Sequence, residues 1–126
     1  MTLLYIDTTD NKTAEAVLVS GQNTISEKFS EMPHAEDFAA ALKKFLASKK
    51  LKLKDLDRIA VRVGPGFFSR VRTGVVAANA LAYGLNIPVV PVRGRVDYKK
   101  IQNSKGQRMA APFYGAKPHI TKSKKR

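Results

Sequence analysis

From Val61 to Val92 the chain reads VRVGPGFFSRVRTGVVAANALAYGLNIPVVPV, and this stretch decides the fold. It opens as an apolar strand and turns at Gly64-Pro65-Gly66, where glycine supplies unusual backbone angles and proline fixes one. A long Ala-rich segment follows. The stretch closes on Ile87 to Val92, an apolar strand whose two prolines favour an edge of the sheet. The pattern therefore predicts a strand, a crossover helix and a second strand.

The Ala-rich segment is predicted to be a helix that is apolar on several sides. Ser69 is placed to cap its start, and Gly84 is placed to end it. Gly74, Ala78 and Ala82 recur at a spacing of four residues, which aligns small side chains on one face. Another backbone can approach such a face closely. Because the helix is apolar on several sides, it also needs partners on several sides: its own sheet, the other helix and a second chain are the candidates.

The residues before this stretch predict an antiparallel meander and one more helix. Four strands are predicted, at Thr2 to Asp7, Ala14 to Ser20, Thr24 to Ser30 and Arg58 to Val63. Between Ala35 and Lys50 apolar residues recur at helical spacing, with lysines opposite, which is typical of an amphipathic helix. Its apolar face includes Phe38, Ala41, Leu42, Phe45 and Leu46.

The order of these elements predicts an α/β fold of the actin-like or ribonuclease-H-like kind, built as a single lobe. Three strands would form an antiparallel meander, and two parallel crossover strands would extend it to a five-stranded mixed sheet with two main helices. We assign residues 1–96 to this lobe. Residues 97–126 lack periodicity and are rich in Lys, Pro, Gly and Ser, so they are predicted to form a basic, flexible tail.

Most of the net charge of +13 lies in that last quarter of the chain. Residues 1–90 carry 12 basic and 9 acidic residues, whereas residues 91–126 carry 11 basic and 1 acidic residue. Such a tail is either a solubilising end or a nucleic-acid contact. For an RNA contact the candidate residues are Lys99, Lys100, Arg108, Lys117, Lys122, Lys124, Lys125 and Arg126.

Composition favours a cytoplasmic protein. The absence of cysteine excludes disulfides and Cys-based zinc sites. The opening MTLLYIDTTD carries an acid at Asp7 where a signal peptide would need basic residues and an apolar run, so export is not expected. The most apolar segment, Val75 to Val92, is interrupted by polar residues and proline, so no membrane span is predicted.

No catalytic constellation is evident in the sequence. A ribonuclease-H-like nuclease needs a second carboxylate at the end of the fourth strand, where Val63-Gly64-Pro65 stands instead. The two histidines, His34 and His119, are too far apart in sequence to form a local metal-ligand pair. Asp7, Thr8 and Thr9 follow the first strand as the phosphate loop of an actin-like ATPase would, but that signal is weak by itself.

The chain resembles the TsaB (YeaZ) family. The resemblance rests on VGPGFFSRVRTGVVAANALAYGLNIPVV at 63–90, which is similar to that family's glycine-proline signature, Ala-rich helix and following strand. LLYIDTTD at 3–10 and FLASKKLKLKDLDRIAV at 45–61 resemble other parts of it, in the same order. The family normally has a second lobe of comparable size, so the chain resembles an N-terminal lobe alone.

The resemblance implies a non-catalytic subunit in the synthesis of threonylcarbamoyladenosine on tRNA. It implies pairing with a TsaD-like catalytic subunit, recruitment of a TsaE-like ATPase, a homodimer when the partner is absent, and ATP or ADP at most at an interface with a partner. The family's two N-terminal-lobe helices form the pairing surface. On this chain they give the candidate contact residues Phe38, Leu42, Phe45, Arg72, Gly74, Val75, Ala78 and Ala82.

Overall fold

Five strands form one mixed sheet, with two long helices against one face and a short helix against the other. The computed structural model describes residues 1–10, 12–30, 35–65 and 68–111. The elements in chain order are β1 (Thr2–Asp7), β2 (Thr13–Ser20), β3 (Asn23–Ser30), α1 (Ala35–Ser48), β4 (Arg58–Gly64), α2 (Phe68–Leu85), β5 (Val89–Arg93) and α3 (Tyr98–Asn103), with a single 3₁₀ turn at Leu53–Asp55.

The order of strands across the sheet is β3, β2, β1, β4, β5. The β1/β2 and β2/β3 pairs are antiparallel, whereas β1/β4 and β4/β5 are parallel. The two parallel pairs need crossovers, which α1 and α2 supply. This arrangement confirms the predicted fold class, and it places β5 at an edge as its prolines suggested.

The larger core lies between the sheet and the two long helices. Because β1 is central and covered on both faces, it is an almost continuous apolar run rather than an alternating one. Phe29 of β3 packs edge-on against Phe38 and Phe45 of α1, with ring centroids 5.9 and 6.4 Å apart. Leu4, Ile6, Leu42, Ile59, Val61, Val71, Val75 and Ala78 complete the centre of this cluster.

A second apolar cluster lies on the opposite face of the sheet. Leu3, Tyr5 and Ala60 project from the central strands, and Ile101 of α3 covers them. The ring of Tyr98 meets that of Tyr5 edge to face, at 5.9 Å between centroids. Helix α3 therefore closes a sheet face that would otherwise expose large apolar side chains.

Helix α2 differs from its predicted limits at both ends. It begins at Phe68, so Ser69 lies within its first turn and is not the residue before it. It includes Gly84 and ends at Leu85, where Asn86 adopts a φ of 56°. Asparagine tolerates this left-handed conformation, and so it ends the helix in the way predicted for Gly84. Helix α1 likewise stops at Ser48, before the predicted Lys50.

The segment predicted to be flexible from residue 97 is ordered as far as it is described. Asp97 caps α3 by accepting from the backbone N–H groups of Lys99 and Lys100, at 3.1 and 3.2 Å. Farther along, Gln107 and Val89 exchange two backbone hydrogen bonds of 2.8 and 2.7 Å. Residues 112–126, which include the predicted RNA contacts beyond Arg108, lie outside the described residues. None of the described helices is long and apolar enough to cross a membrane.

Candidate functional site

The loop after β1 brings the three predicted phosphate-loop residues together, but their polar groups bond within the protein. Asp7 Oδ1 accepts from the backbone N–H of Thr9 at 2.9 Å and from its hydroxyl at 2.7 Å. Asp7 Oδ2 lies 3.3 Å from Arg62 Nε, in the ion pair that links β1 to β4. The carboxylate is therefore held on both oxygens by neighbouring residues.

Thr8 is fully buried and bonds to helix α2. Its hydroxyl donates to the carbonyl oxygen of Arg70 at 2.5 Å and accepts from the N–H of Gly74 at 3.1 Å. Arg70 and Gly74 stand four residues apart, the spacing at which these two backbone groups pair in an α-helix. Thr8 thus fixes the end of β1 against the first turns of α2.

Arg62 of β4, which pairs with Asp7, makes two further hydrogen bonds beside the same loop. Its Nε also donates to the Tyr5 hydroxyl at 3.1 Å, and its Nη2 donates to the Gly94 carbonyl at 2.6 Å. Burial raises the pKa of Tyr5 well above its ordinary value, and the nearby Asp7 carboxylate raises it further. Arg62 is not among the site residues predicted from the sequence. The available signal was a cation between the apolar residues Val61 and Val63 of the strand RIAVRVG.

A polar cleft of about 270 Å³ opens beside this loop. Three carboxylates and one cation line it, so the net charge of these side chains is negative. This charge is unfavourable for binding a phosphate group unless a further cation is present. The backbone N–H groups of Lys12 and Thr13 lower the pKa of Asp10. In the described part of the chain no group of three or more Asp, Glu, His or Cys could hold a metal ion. The lining residues are Asp7, Thr9, Asp10, Thr13, Glu15 and Lys28.

Most of the predicted partner-contact residues are buried within the lobe. Phe38, Leu42 and Phe45 of α1 are at most 2% exposed, because they fill the core against β3. Only Arg72 of the predicted set is exposed. The remaining four, which include the predicted stripe of small side chains, also face the lobe's own core or the loop after β1: Gly74, Val75, Ala78 and Ala82. As folded here, these seven buried residues offer no surface for direct contact, which corrects their assignment.

The exposed face of α2 carries a different set of residues. Val76 and Tyr83, two turns apart, are 48% and 77% exposed. Ala80 lies between them and is exposed as well. Met109, 67% exposed, belongs to the segment that Asn79 binds through Ala110, so it is held close to this face. We call Arg72, Val76, Ala80 and Tyr83 the outer face of α2.

A second cleft, of about 340 Å³, lies at the C-terminal end of α2. Tyr83 and Asn86 form one wall, while Lys105, Gln107 and Arg108 form another, with no acidic side chain among the described lining residues. Of the predicted RNA contacts, Arg108 belongs to this cleft. Lys99 and Lys100 are exposed on α3 but do not line it.

Comparisons with known proteins converge on one family. The family model described as "TsaD: tRNA N6-adenosine threonylcarbamoyltransferase" matches residues 13–94. The tRNA threonylcarbamoyladenosine biosynthesis protein TsaB of Haemophilus influenzae is 33% identical over 92 residues, which cover 73% of this chain and 39% of that protein. A tRNA N6-adenosine threonylcarbamoyltransferase of Staphylococcus epidermidis is 29% identical over 107 residues, covering 71% and 32%.

A solved structure shows the same fold. YeaZ from Pseudomonas aeruginosa superposes with a TM-score of 0.65 at 28% identity, over 72% of this chain and 43% of that one. The chain therefore spans less than half of the length of each of these relatives, from 32% to 43%.

Proposed function

Because the chain belongs to the family of tRNA N6-adenosine threonylcarbamoyltransferases and their TsaB (YeaZ) relatives, we propose that it serves threonylcarbamoyladenosine modification of tRNA as a non-catalytic subunit. In this proposal it docks onto a TsaD-like catalytic subunit through its helices. A TsaE-like ATPase would join that complex, and two copies of this chain would pair when the enzyme is absent. ATP or ADP would be bound only at an interface with a partner.

The observation that carries the docking proposal is the exposure of large apolar side chains on the outer face of α2. Val76 and Tyr83 lie on an exposed side of this helix, and exposed Met109 precedes Ala110, which is bonded to Asn79 of the same helix. An uncovered apolar area of this kind is typical of a protein contact. Tyrosine and methionine are also enriched in the centres of such contacts.

The bonding of the loop after β1 supports the non-catalytic part of the proposal. A phosphate loop needs hydroxyl and N–H groups that face the ligand. Here the hydroxyls of Thr8 and Thr9 and the Asp7 carboxylate are bonded to the chain itself, and the adjacent cleft is acidic. Beside this loop, Arg62 donates to the Tyr5 hydroxyl, and the N–H of Gly74 donates to the Thr8 hydroxyl.

The test is complex formation with the TsaD-like protein of the same organism. We expect the double variant V76E/Y83E to lose the complex in analytical ultracentrifugation while its circular dichroism stays that of the wild type. Ile25→Glu is the matched control, since Ile25 is a similarly exposed apolar residue on the distant strand β3. Docking through the outer face of α2 would be excluded if V76E/Y83E bound as well as I25E.

RNA binding is a second candidate function, favoured by the basic cleft at the end of α2. Lys105 and Arg108 supply cations without a neighbouring acid in the described lining, and Tyr83 offers an exposed ring on which a base could stack. The predicted tail contacts beyond residue 111 would add to this cleft. Phosphate contacts should make the affinity for tRNA fall steeply with salt.

K105E/R108E tests this second candidate. We expect weaker tRNA binding and a salt dependence that is shallower by about two contacts, at roughly 0.7–0.9 per contact on a log-log plot. The matched control is K49E/K50E, the same charge change just after the last turn of α1. If both variants lower the affinity and the slope equally, the cleft is not the binding site.

A further inference from the structure

We propose that a lysine-rimmed groove at the C-terminal end of α1 is a docking site for an acidic amphipathic helix of a partner protein. The groove has a volume of about 450 Å³ and is separate from the outer face of α2, so the inference does not depend on the docking proposed above. It is lined by Lys43, Ala47, Leu51, Lys52, Leu53, Lys54 and Leu85.

The floor of the groove is apolar and incompletely covered. Leu51, Leu53 and Leu85 pack against the main core, yet each remains partly exposed. Their side chains come from three elements that meet here: the residues after α1, the 3₁₀ turn and the end of α2. A concave apolar floor of this kind fits the apolar side chains that one face of a helix presents at positions i, i+3, i+4 and i+7.

The rim carries cations only. Residues 43–54 contain six lysines and no acid, and all six lysines are exposed. Among the described residues, none of these lysines forms an ion pair with a carboxylate. The nearest acids in sequence are Asp55, which accepts from the N–H of Lys52, and Asp57, which accepts from the N–H of Thr2; neither is among the described residues that line the groove. The charge of this rim is therefore complementary to an acidic partner.

The positive charge of the rim also disfavours binding of the chain's own segments in the groove. Residues 112–126 carry five Lys or Arg and no acid, so the rim would repel them. A second copy of the chain would have to present an acidic helix with exposed large apolar residues. The acids of α1 are confined to its first turn, and none occurs in α2.

Two other classes of macromolecule fit the groove less well. The described residues of the lining include no aromatic side chain on which a nucleotide base could stack, which disfavours single-stranded RNA. A membrane would require apolar side chains that protrude, whereas these leucines form a recessed floor.

The test uses a defined probe and the full chain. The probe is a fluorescein-labelled peptide of about 16 residues, roughly 24 Å long as a helix, with Leu on one face and Glu elsewhere. We expect micromolar binding by fluorescence anisotropy, and loss of binding when Ser replaces each Leu of the peptide. K52E/K54E should weaken binding at least about tenfold, and K99E/K100E, with the same charge change on α3, should weaken it by less than about twofold.

Three results would overturn the proposal. The first is equal binding of the Leu and Ser peptides, since this would reduce the contact to charge alone. The second is equal weakening by K52E/K54E and K99E/K100E. The third is absence of peptide binding in the wild-type protein while poly(U) RNA or phosphatidylserine vesicles bind and K52E/K54E abolishes that binding. Lys52 and Lys54 are exposed, and circular dichroism of K52E/K54E checks that the fold is retained.

Discussion

The hydroxyl of Thr8 sits against the backbone of Gly74, accepting its N–H while donating to the carbonyl of Arg70. A Cβ atom at position 74 would overlap Thr8 Oγ1. Glycine is therefore required here by the close approach of the loop after β1, and not by an unusual backbone angle. The contact fixes α2 to the central strand, and the angle of α2 in turn sets where its outer face points.

Gly74→Ala should lower the free energy of unfolding by about 1–3 kcal/mol, because the added methyl group forces Thr8 away from the helix. Urea denaturation measures the change. Gly84→Ala is the control: nothing lies within 4 Å of a Cβ there, so the variant should be unchanged or stabilised by up to about 1 kcal/mol. In the double variant T8A/G74A the overlap is gone, and the total loss should be smaller than the sum of the single losses. Additive losses would contradict the proposed contact.

Tyr5 should make the protein less stable at high pH. Its pKa is raised in the folded state by burial and by Asp7, from an ordinary value of 10.0. Below about pH 10 both states keep the proton and the stabilisation is complete. Above it the unfolded chain loses the proton first, so stability falls with a slope of up to about 1.4 kcal/mol per pH unit. Urea denaturation from about pH 9 to 11 should show a shallower decline of the free energy of unfolding in Tyr5→Phe than in the wild type. The same lysines titrate in both proteins, so the difference reports Tyr5. Parallel declines would exclude this role of Tyr5.

The fold could be predicted because its signals are local. Each element is specified by a short stretch of sequence: the apolar run of β1, the glycine turns, and the helical spacing of apolar residues in α1 and α2. Few topologies then remain, because parallel neighbouring strands need crossover connections. Helix α3 was missed because six residues are too few to show a period. Its stability comes from Ile101 packing on the sheet and from the Asp97 cap. The packing on the sheet cannot be predicted from the sequence of a single short segment.

The candidate surface was harder to predict than the fold, for a physical reason. A helix that is apolar all round does not reveal which side its own lobe covers. The stripe of Gly74, Ala78 and Ala82 has the small side chains that a close contact needs, but the loop at Thr8 and the lobe's core already occupy that side. The larger residues Val76 and Tyr83 are exposed instead. Only the packing of the folded lobe shows which face of α2 is buried and which is exposed.

Asn79 should hold the segment around Ala110 in place. Its Nδ2 donates to the Ala110 carbonyl at 2.9 Å, and its Oδ1 accepts the Ala110 N–H at 2.7 Å. Asn79→Ala removes both bonds, so hydrogen exchange across residues 107–111 should quicken by about tenfold to a hundredfold, as expected for a local loss of about 1–3 kcal/mol. Asn103→Ala, at the exposed end of α3, is the control and should leave this segment unchanged. Unaltered exchange in Asn79→Ala would mean that other contacts hold the segment.

Arginine substitutions at Ala78 and Ala80 separate the buried and outer faces of α2. Ala78 is fully buried, so Ala78→Arg forces a charge into the core and should cost more than about 3 kcal/mol, with loss of cooperative thermal unfolding. Ala80 is exposed, and Ala80→Arg should change stability by less than about 0.5 kcal/mol. If the outer face is the docking surface, Ala80→Arg should nevertheless lose the TsaD-like partner in sedimentation, because a long charged side chain would stand between the two proteins. A stable, folded Ala78→Arg protein would show that the two faces have been assigned the wrong way round, and a folded Ala80→Arg protein that still binds would place the contact elsewhere.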